Sequence, residues 1–255
     1  MSKFNIVKKG SLEYIQSKSL LNEGIKHFFS TKNGGVSEGE FESLNLGVYT
    51  NDNKDNVKEN FNIILRECNM SSSIAYLHQV HGQDVYLVNR DNVDQVVGKD
   101  GDAIITAEKN LPIGVFTADC VPILLYDKNK KVVAAIHAGW RGVVGKILTK
   151  TISKMKQEFK TSSEDIVVAI GPFIGSCCFE VSADIINKFN FYEIRGNKYF
   201  VDLYKEVEKE ALENNILLDN IDFLDMCSVC TGEIFHSYRR QSGKTGRIGS
   251  FIEIS

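Results

Sequence analysis

The middle of the chain alternates short apolar runs with polar breaks. Ile74–Leu77, Asp84–Val88, Asp102–Thr106 and Ile113–Thr117 are too short for helices and rich in β-branched or aliphatic side chains, so they predict strands. Val121–Tyr126 and Val132–Ile136 follow, joined by the polar Asp127-Lys128-Asn129-Lys130-Lys131, and predict a β-hairpin. Helical periodicity takes over elsewhere. Asp55–Glu67 puts Val57, Phe61, Ile64 and Leu65 on one face; Arg141–Phe159 does the same with Val143, Ile147, Ile152, Met155 and Phe159, leaving Lys146, Lys150, Lys154 and Lys156 off the stripe. Ile166–Ile170 and Ile221–Leu224 read as further strands and Ser182–Phe189 as a short helix. Asp202 reads as the N-cap of a helix through Asn214 with Leu203, Val207, Ala211 and Leu212 inward. Clustered strands with only partial helix alternation predict an α+β or mixed α/β fold rather than a doubly wound sheet. With three prolines, no low-complexity tract and no solenoid-length repeat, nothing marks an interdomain linker.

Charge and composition narrow the function classes. Thirty Lys+Arg against 33 Asp+Glu give a net charge of −3, which supplies no basic field for nucleic acid and no polybasic membrane anchor. No apolar run approaches the ~18–20 residues of a membrane span, and the N-terminus lacks the apolar core of a secretory signal. A soluble cytoplasmic protein is expected. Six cysteines are too sparse for a disulfide scaffold in 255 residues, so thiols, metal ligands or nucleophiles are expected instead. Cys227-Ser228-Val229-Cys230 invites a structural zinc reading, but Cys177 and Cys178 are adjacent, a poor chelate spacing, which favours redox-silent thiols. Neither a G-x-G-x-x-G nor a P-loop is present.

The candidate chemistry flanks the hairpin. Thr117-Ala118-Asp119-Cys120 precedes it and His137-Ala138-Gly139-Trp140-Arg141-Gly142 closes it. With Lys128 and Asn129 as the central turn residues, Cys120 faces His137, and opposed residues have Cβ atoms about 4.5–5.5 Å apart. A one-residue slip would send the two to opposite faces. In Tyr76-Leu77-His78-Gln79-Val80-His81-Gly82 the two histidines are three apart and cannot both point into one site from a continuous strand. His81, at the end of its run before Gly82, is the better placed. His81, Cys120 and His137 together would make three ligands with a fourth position open for a water of lowered pKa, the arrangement of a catalytic zinc site. The same Cys120 and His137 would also serve as nucleophile and base, a dyad that has no need of His81, or as a buried thiol and a satisfied histidine. Asp119 is a candidate acid/base or ligand-orienting group, or a strand-end carboxylate in water. Arg141 and Lys32 are candidate anion binders or surface ion pairs. Arg239, Arg240 and Arg247 form either an oxyanion site or a solvated basic segment.

Several ordered fragments resemble the YfiH/YlmD-like family, whose members are named both as laccase-domain or polyphenol oxidase proteins and as purine nucleoside phosphorylases. They are Ser30-Thr31-Lys32-Asn33-Gly34-Gly35-Val36-Ser37, Ser43-Leu44-Asn45-Leu46-Gly47, Gln79-Val80-His81-Gly82, Asp102-Ala103-Ile104-Ile105-Thr106, Thr117-Ala118-Asp119-Cys120 and His137-Ala138-Gly139-Trp140-Arg141-Gly142. Gly171–Val181, Ser237-Tyr238-Arg239-Arg240 and Thr245-Gly246-Arg247 complete the set. The resemblance implies an α+β single domain over residues 1–255, a mixed two-layer β core flanked by helices, related to the fold of some bacterial deamidase toxins. It implies zinc on His81, Cys120 and His137, with copper as the other possible metal. The implied activity is phosphorolysis of adenosine, inosine, guanosine and 5′-methylthioadenosine to base and pentose 1-phosphate, with adenosine deamination as a second activity. Asp119, Cys120 and Arg141 are the expected catalytic set, with Asp119 in proton transfer. Lys32, Asn45, Gln79 and Arg239 are expected to bind substrate or phosphate. The expected partners are a purine nucleoside and phosphate, with no nucleic acid and no membrane, acting on a monomer or small homo-oligomer. Lys32 stands where the family usually has arginine, a point charge in place of a bidentate fork, which bears on phosphate affinity. Three other functions compete: a copper-dependent phenol oxidase, a Cys120 amidase acting on a cell-wall precursor, and a non-catalytic metal-binding module. The first is poorly served by five histidines without a His-x-His motif.

Overall fold

Unbroken burial of Val121–Asp127 and Val132–Ala138 decides where these strands lie. Side chains of a strand alternate between faces, so a run buried at every position needs cover on both. The computed structural model, which describes residues 3–71 and 73–255, supplies that cover with a second sheet on one face and helices on the other. The strands form the centre of a six-stranded sheet ordered Ile221–Phe223, Ile166–Ile170, Val121–Asp127, Val132–Ala138, Ala103–Thr106, Val85–Leu87. Its outermost pairs are parallel and its inner pairs antiparallel. A five-stranded antiparallel sheet runs Phe4–Lys9, Leu12–Ser17, Lys26–Ser30, Ile248–Glu253, Ile113–Thr117. A small third sheet joins Glu180–Val181, Lys198–Val201 and Tyr192–Arg195.

Leu124, Tyr126, Val133 and Ala135 face Phe29, Val115, Ile248 and Ile252 across the space between the large sheets. Ile123, Leu125, Ala134 and Ile136, on the opposite face, pack with Leu148, Ile152 and Met155 of the Ile147–Phe159 helix and Val207 and Ala211 of the Leu203–Glu213 helix. The Lys54–Glu67 helix covers the outer face of the five-stranded sheet, burying Ile64 and Leu65 against Phe28, Phe116 and Phe251. The architecture is the expected α+β one, two sheet layers with helices outside. Among the described residues no helix is long and apolar enough to cross a membrane.

A histidine is among the polar residues built into the five-stranded sheet. His27 is 1% exposed, its Nε2 accepts the Ser17 N–H at 2.8 Å, and its Nδ1–H reaches the Ile25 carbonyl at 2.9 Å. An acceptor Nε2 makes the ring neutral.

Several local expectations change. The hairpin pairs through Asp127↔Val132, so residues 128–131 form a four-residue loop in place of a two-residue turn on Lys128-Asn129. The Asp127 carboxylate accepts the N–H groups of Asn129 and Lys130, and Lys131 takes φ +56°. Asp127 thus supplies the turn chemistry that its place in an apparently polar linker concealed. Ile74–Leu77 is not a strand; only Ala75 bridges Ile113, beside Pro112, which has no N–H for a longer ladder. Arg141–Phe159 is two helices, Trp140–Val144 and Ile147–Phe159. The break falls at Gly145-Lys146, where Lys146 is left-handed (φ +62°) and a Cβ on Gly145 would lie 1.7 Å from the Gln83 amide nitrogen. The Ser182–Phe189 helix shortens to Ala183–Ile186. The helix capped by Asp202 forms with Leu203, Val207 and Ala211 inward as expected, its carboxylate accepting the Lys205 N–H at 3.1 Å, but Leu212 points to solvent and Glu206 and Glu210 are buried instead.

Candidate active site

Ala118-Asp119-Cys120 connects Ile113–Thr117 of one sheet to Val121–Asp127 of the other, which brings Cys120 to a seam between layers. Asp119 holds the crossing. It takes φ +89°, a conformation Asp and Asn tolerate better than most side chains. Its carboxylate accepts the Ser228 hydroxyl and the Arg239 backbone N–H, both at 2.6 Å.

The observed register puts Pro122 opposite His137, so Cys120, just outside the ladder, falls opposite Gly139. The difference from the expected register is two residues along the strand, an even step that preserves the face. Cys120 and His137 therefore still meet, as diagonal neighbours. Gly139 makes room: a Cβ there would lie 2.8 Å from His81 Cδ2 and 3.4 Å from Cys120 Sγ. Gly139→Ala is accordingly expected to push His81 out of position and weaken metal binding at the triad about tenfold or more, the scale set by disturbing a ligand's support. A competition titration against a chromophoric chelator measures this, and unchanged affinity would refute the packing argument.

Asp102 aims the histidines. Its Oδ1 accepts the His137 Nδ1–H at 2.7 Å and the His81 N–H at 3.0 Å, and its Oδ2 accepts the Gly82 N–H at 2.6 Å. His81 lies in a bend at φ +58° and not on a strand, which removes the face conflict of the His78/His81 spacing. The imidazole centroids are 4.8 Å apart, and ligand atoms of His81, Cys120 and His137 all lie within 4.8 Å of one another. Burial by itself would raise the Cys120 thiol, but His137 and then His81 outweigh it and bring it down to about 6. Burial would likewise lower His137; the Cys120 thiolate and the Asp102 carboxylate outweigh it and raise it to about 9. The sulfur is thus held as a thiolate beside a proton-bearing His137, and a metal ion bound there would displace that proton. Asp102 on Nδ1 leaves Nε2 of His137 as the free donor. Two nitrogens and a thiolate, one histidine fixed from behind by a carboxylate, is a donor set that fits zinc.

The triad lies in a cavity of about 480 Å³, within the range of small-molecule sites. Arg141, Arg239 and Arg247 line it, each over an aromatic ring: Trp140 at 4.6 Å, Phe179 at 5.8 Å and Tyr238 at 6.0 Å. Among the described residues none of these arginines forms an ion pair with a carboxylate. Tyr49, Phe116 and Leu203 add apolar wall.

Of the residues expected at the site, Gln79, His81, Asp119, Cys120, His137, Arg141 and Arg239 line the cavity, whereas Lys32 and Asn45 do not. The Gln79 amide pairs with both backbone groups of Phe116 at 2.7 Å. Asn45 is fully buried and its side chain makes four hydrogen bonds: it donates to Thr50 and Asp52 and accepts from the N–H groups of Gly47 and Arg247. Lys32 is half-buried and its charge acts on His236, as does that of Arg247. His78 is at the rim, bonded to Asp100 at 2.7 Å and packed edge-on against Tyr49. Reasoning from residues had no role for Asp102 or Ser228. Asp102 stood at the head of an expected strand, but its pairing with His137 follows only once the Ala103↔Ile136 register is known.

Residues 26–255 match the sequence profile of a family described as multi-copper polyphenol oxidoreductase laccase. A protein of Clostridium acetobutylicum named purine nucleoside phosphorylase is 37% identical over 259 residues, covering 97% of this chain and 98% of its own. One of Escherichia coli named purine nucleoside phosphorylase YfiH is 34% identical over 238 residues, covering 90% and 94%. Among solved structures, YlmD of Geobacillus stearothermophilus superposes with a TM-score of 0.91 at 26% identity, covering 100% of this chain and 99% of its own. The hypothetical protein YfiH of Bacillus licheniformis gives 0.90 at 27% identity, covering both chains completely.

Proposed function

This chain belongs to the multi-copper polyphenol oxidoreductase laccase family, and on that premise we propose that it is a purine nucleoside phosphorylase with adenosine deamination as a second activity of the same cavity. The observation that carries the reading is the meeting, in one cavity of about 480 Å³, of a metal-donor triad, three arginines whose guanidinium groups form no ion pair with a carboxylate among the described residues, and several aromatic faces. Phosphorolysis needs a dianion held beside the ribose and a planar base held against a flat surface. In the reaction a phosphate oxygen bonds to C1′, the C1′–N9 bond breaks, and its electron pair leaves on the purine, which takes up a proton.

Arg141 binds the phosphate through its planar fork, while Arg239 and Arg247, whose guanidinium groups also donate to backbone carbonyls, add positive charge beside it. Trp140, Phe179 and Tyr238 offer faces to the base and at the same time stack the arginines. Asp119 acts as a positioning residue, because both its oxygens are already occupied and one of them fixes the Arg239 backbone. Asn45 likewise fixes the backbone of Arg247, and Lys32 adds positive charge in the His236 neighbourhood that Arg247 shares. His81, Cys120 and His137 would hold the zinc ion, which supplies Lewis-acid polarisation when bound. Two imidazoles and a thiolate also suit copper, but redox copper sites of that composition add a weak axial methionine, and no methionine is among the described residues lining the cavity. The free thiols suit a reducing cytoplasm, and a monomer or small homo-oligomer suffices for a cavity lined by one chain.

Zinc-loaded protein incubated with adenosine, inosine, guanosine and 5′-methylthioadenosine, with and without phosphate, tests the assignment. Free base and pentose 1-phosphate should form only when phosphate is present, and inosine should form from adenosine without it. No product from any nucleoside at full zinc occupancy, or phenol oxidation on copper loading, would overturn the assignment.

A further inference from the structure

Cys177, Cys178, Cys227 and Cys230 lie outside the cavity lining, and the fold brings all four together although their spacing looks unfavourable. Two loops do this. The segment Gly175–Phe179 turns tightly, the Cys178 and Phe179 N–H groups both reaching the Gly175 carbonyl at 2.9 Å. Cys227–Thr231 makes a helical turn closed by Thr231 N–H on the Cys227 carbonyl at 3.0 Å, which puts Cys227 and Cys230 on one side. The loops are held together by a bridge between Phe173 and Cys227 and by the Ser228 N–H on the Phe173 carbonyl at 2.9 Å. Adjacent Cys177 and Cys178 can thus approach the same point from the turn: their sulfurs are 3.5 and 3.4 Å from that of Cys230. The Sγ atoms of all four lie within 4.8 Å of one another. A tetrahedral zinc with Zn–S bonds of ~2.3 Å holds its sulfurs ~3.8 Å apart. The Gly175 N–H points at Cys227 Sγ at 3.2 Å, a donor suited to a thiolate.

We propose that these four cysteines form a second metal centre, a structural tetrathiolate zinc site distinct from the triad at His81, Cys120 and His137. Cys177 and Cys230 are exposed, which leaves the ion a path of entry. The centre clamps one wall of the cavity. Arg239 donates to the carbonyls of Cys178 and Glu180, both at 3.2 Å, and Ser228, between the two cysteines of the second loop, donates to Asp119. Zinc here fastens the two segments to which Arg239 and Asp119 are hydrogen-bonded, and requires no chemistry of its own.

The centre is tested on the intact chain, independently of any nucleoside activity. Zinc per chain is measured by plasma mass spectrometry in protein purified under reducing conditions with zinc. Wild type should hold two ions, the Cys177→Ser/Cys230→Ser double variant one, and His81→Ala one. Cobalt-loaded His81→Ala should retain sulfur-to-metal charge-transfer absorption that the double variant loses in large part. Where the double variant does not fold, alkylation of native wild type followed by peptide mapping decides: zinc should protect all four thiols against iodoacetamide. Equal labelling with and without zinc, an ion content that the cysteine double variant leaves unchanged, or a disulfide within the cluster in reduced, zinc-loaded protein would overturn the proposal.

Discussion

Cys120→Ala, His81→Ala and His137→Ala are each expected to abolish zinc binding at the triad and bring nucleoside turnover to background, with the melting transition retained. The size follows from comparison with Asp102, which touches no metal but supports His137 Nδ1, His81 N and Gly82 N at once. Losing such a supporting carboxylate typically costs ~10–100-fold in affinity or activity. Asp102→Asn belongs in that range, since an amide has one acceptor oxygen where the carboxylate serves three donors on two. Removing one of three ligands must cost more than removing a ligand's support. Zinc stoichiometry and steady-state turnover on all four variants establish the ranking. His81→Ala is the decisive member, because a Cys120–His137 nucleophile pair would survive it. Turnover in His81→Ala near the wild-type value would sink the metal reading and restore the dyad.

Between pH 7 and pH 5 the protein is expected to lose roughly 4 kcal/mol of stability from two buried histidines, at 1.36 kcal/mol per pKa unit. Burial lowers His27 to about 4, against partial compensation from Ile25, Asp222 and Ser17. Burial, then the charge of Lys32, and further those of Arg247 and Arg240, lower His236 to about 3, against the Leu44 backbone. Both folded values lie below the ordinary 6.5, so the unfolded chain binds more protons between them. The stability is therefore fully present above about pH 6.5 and is lost as the pH falls toward the folded values, about 2 kcal/mol from each ring by pH 5. Urea unfolding of wild type and His27→Gln at both pH values isolates the first contribution. The variant should start less stable and show a pH difference smaller by about 2 kcal/mol. Equal pH differences in the two proteins would show that His27 is not held neutral.

Apolar periodicity was a good guide wherever an element's burial is set by its own residues. Ile113–Thr117 and Ile166–Ile170 fall at their expected bounds, and the helices from Lys54 and Leu203 lie within a residue or so of theirs. It failed where a distant group decides. The continuous helical stripe breaks at Gly145-Lys146, where Lys146 turns left-handed and the Gln83 side chain, some sixty residues earlier in the chain, packs against Gly145. The N-terminal strands Phe4–Lys9 and Leu12–Ser17 went unread, the first being half polar and mostly exposed at the sheet edge. The triad was legible from residue type and the hairpin even though the turn was misplaced, because an even register change leaves faces intact. The supports of the triad were not. Asp102, Ser228 and the Asn45 network act through backbone N–H groups and register, which residue type does not reveal. The four-cysteine cluster was discounted on linear spacing, a criterion that presumes one loop per pair, whereas here a tight turn lets neighbours share a centre.

The strand Ile248–Glu253 sits inside its sheet, between Lys26–Ser30 and Ile113–Thr117. The Gly249 N–H bonds to the Ser30 hydroxyl across 219 residues of sequence. A chain emerging from the ribosome in order would carry both flanking strands long before the strand that joins them, and their edges would stay open through most of synthesis. Closing so long a span also makes assembly slow compared with a fold of local contacts. The crossing that carries Cys120 hangs from the end of one of those waiting strands, so the triad takes shape only at the last stage of maturation, after the sheet has closed. A metal ion offered early would meet loose thiols; one offered late would meet a finished cage.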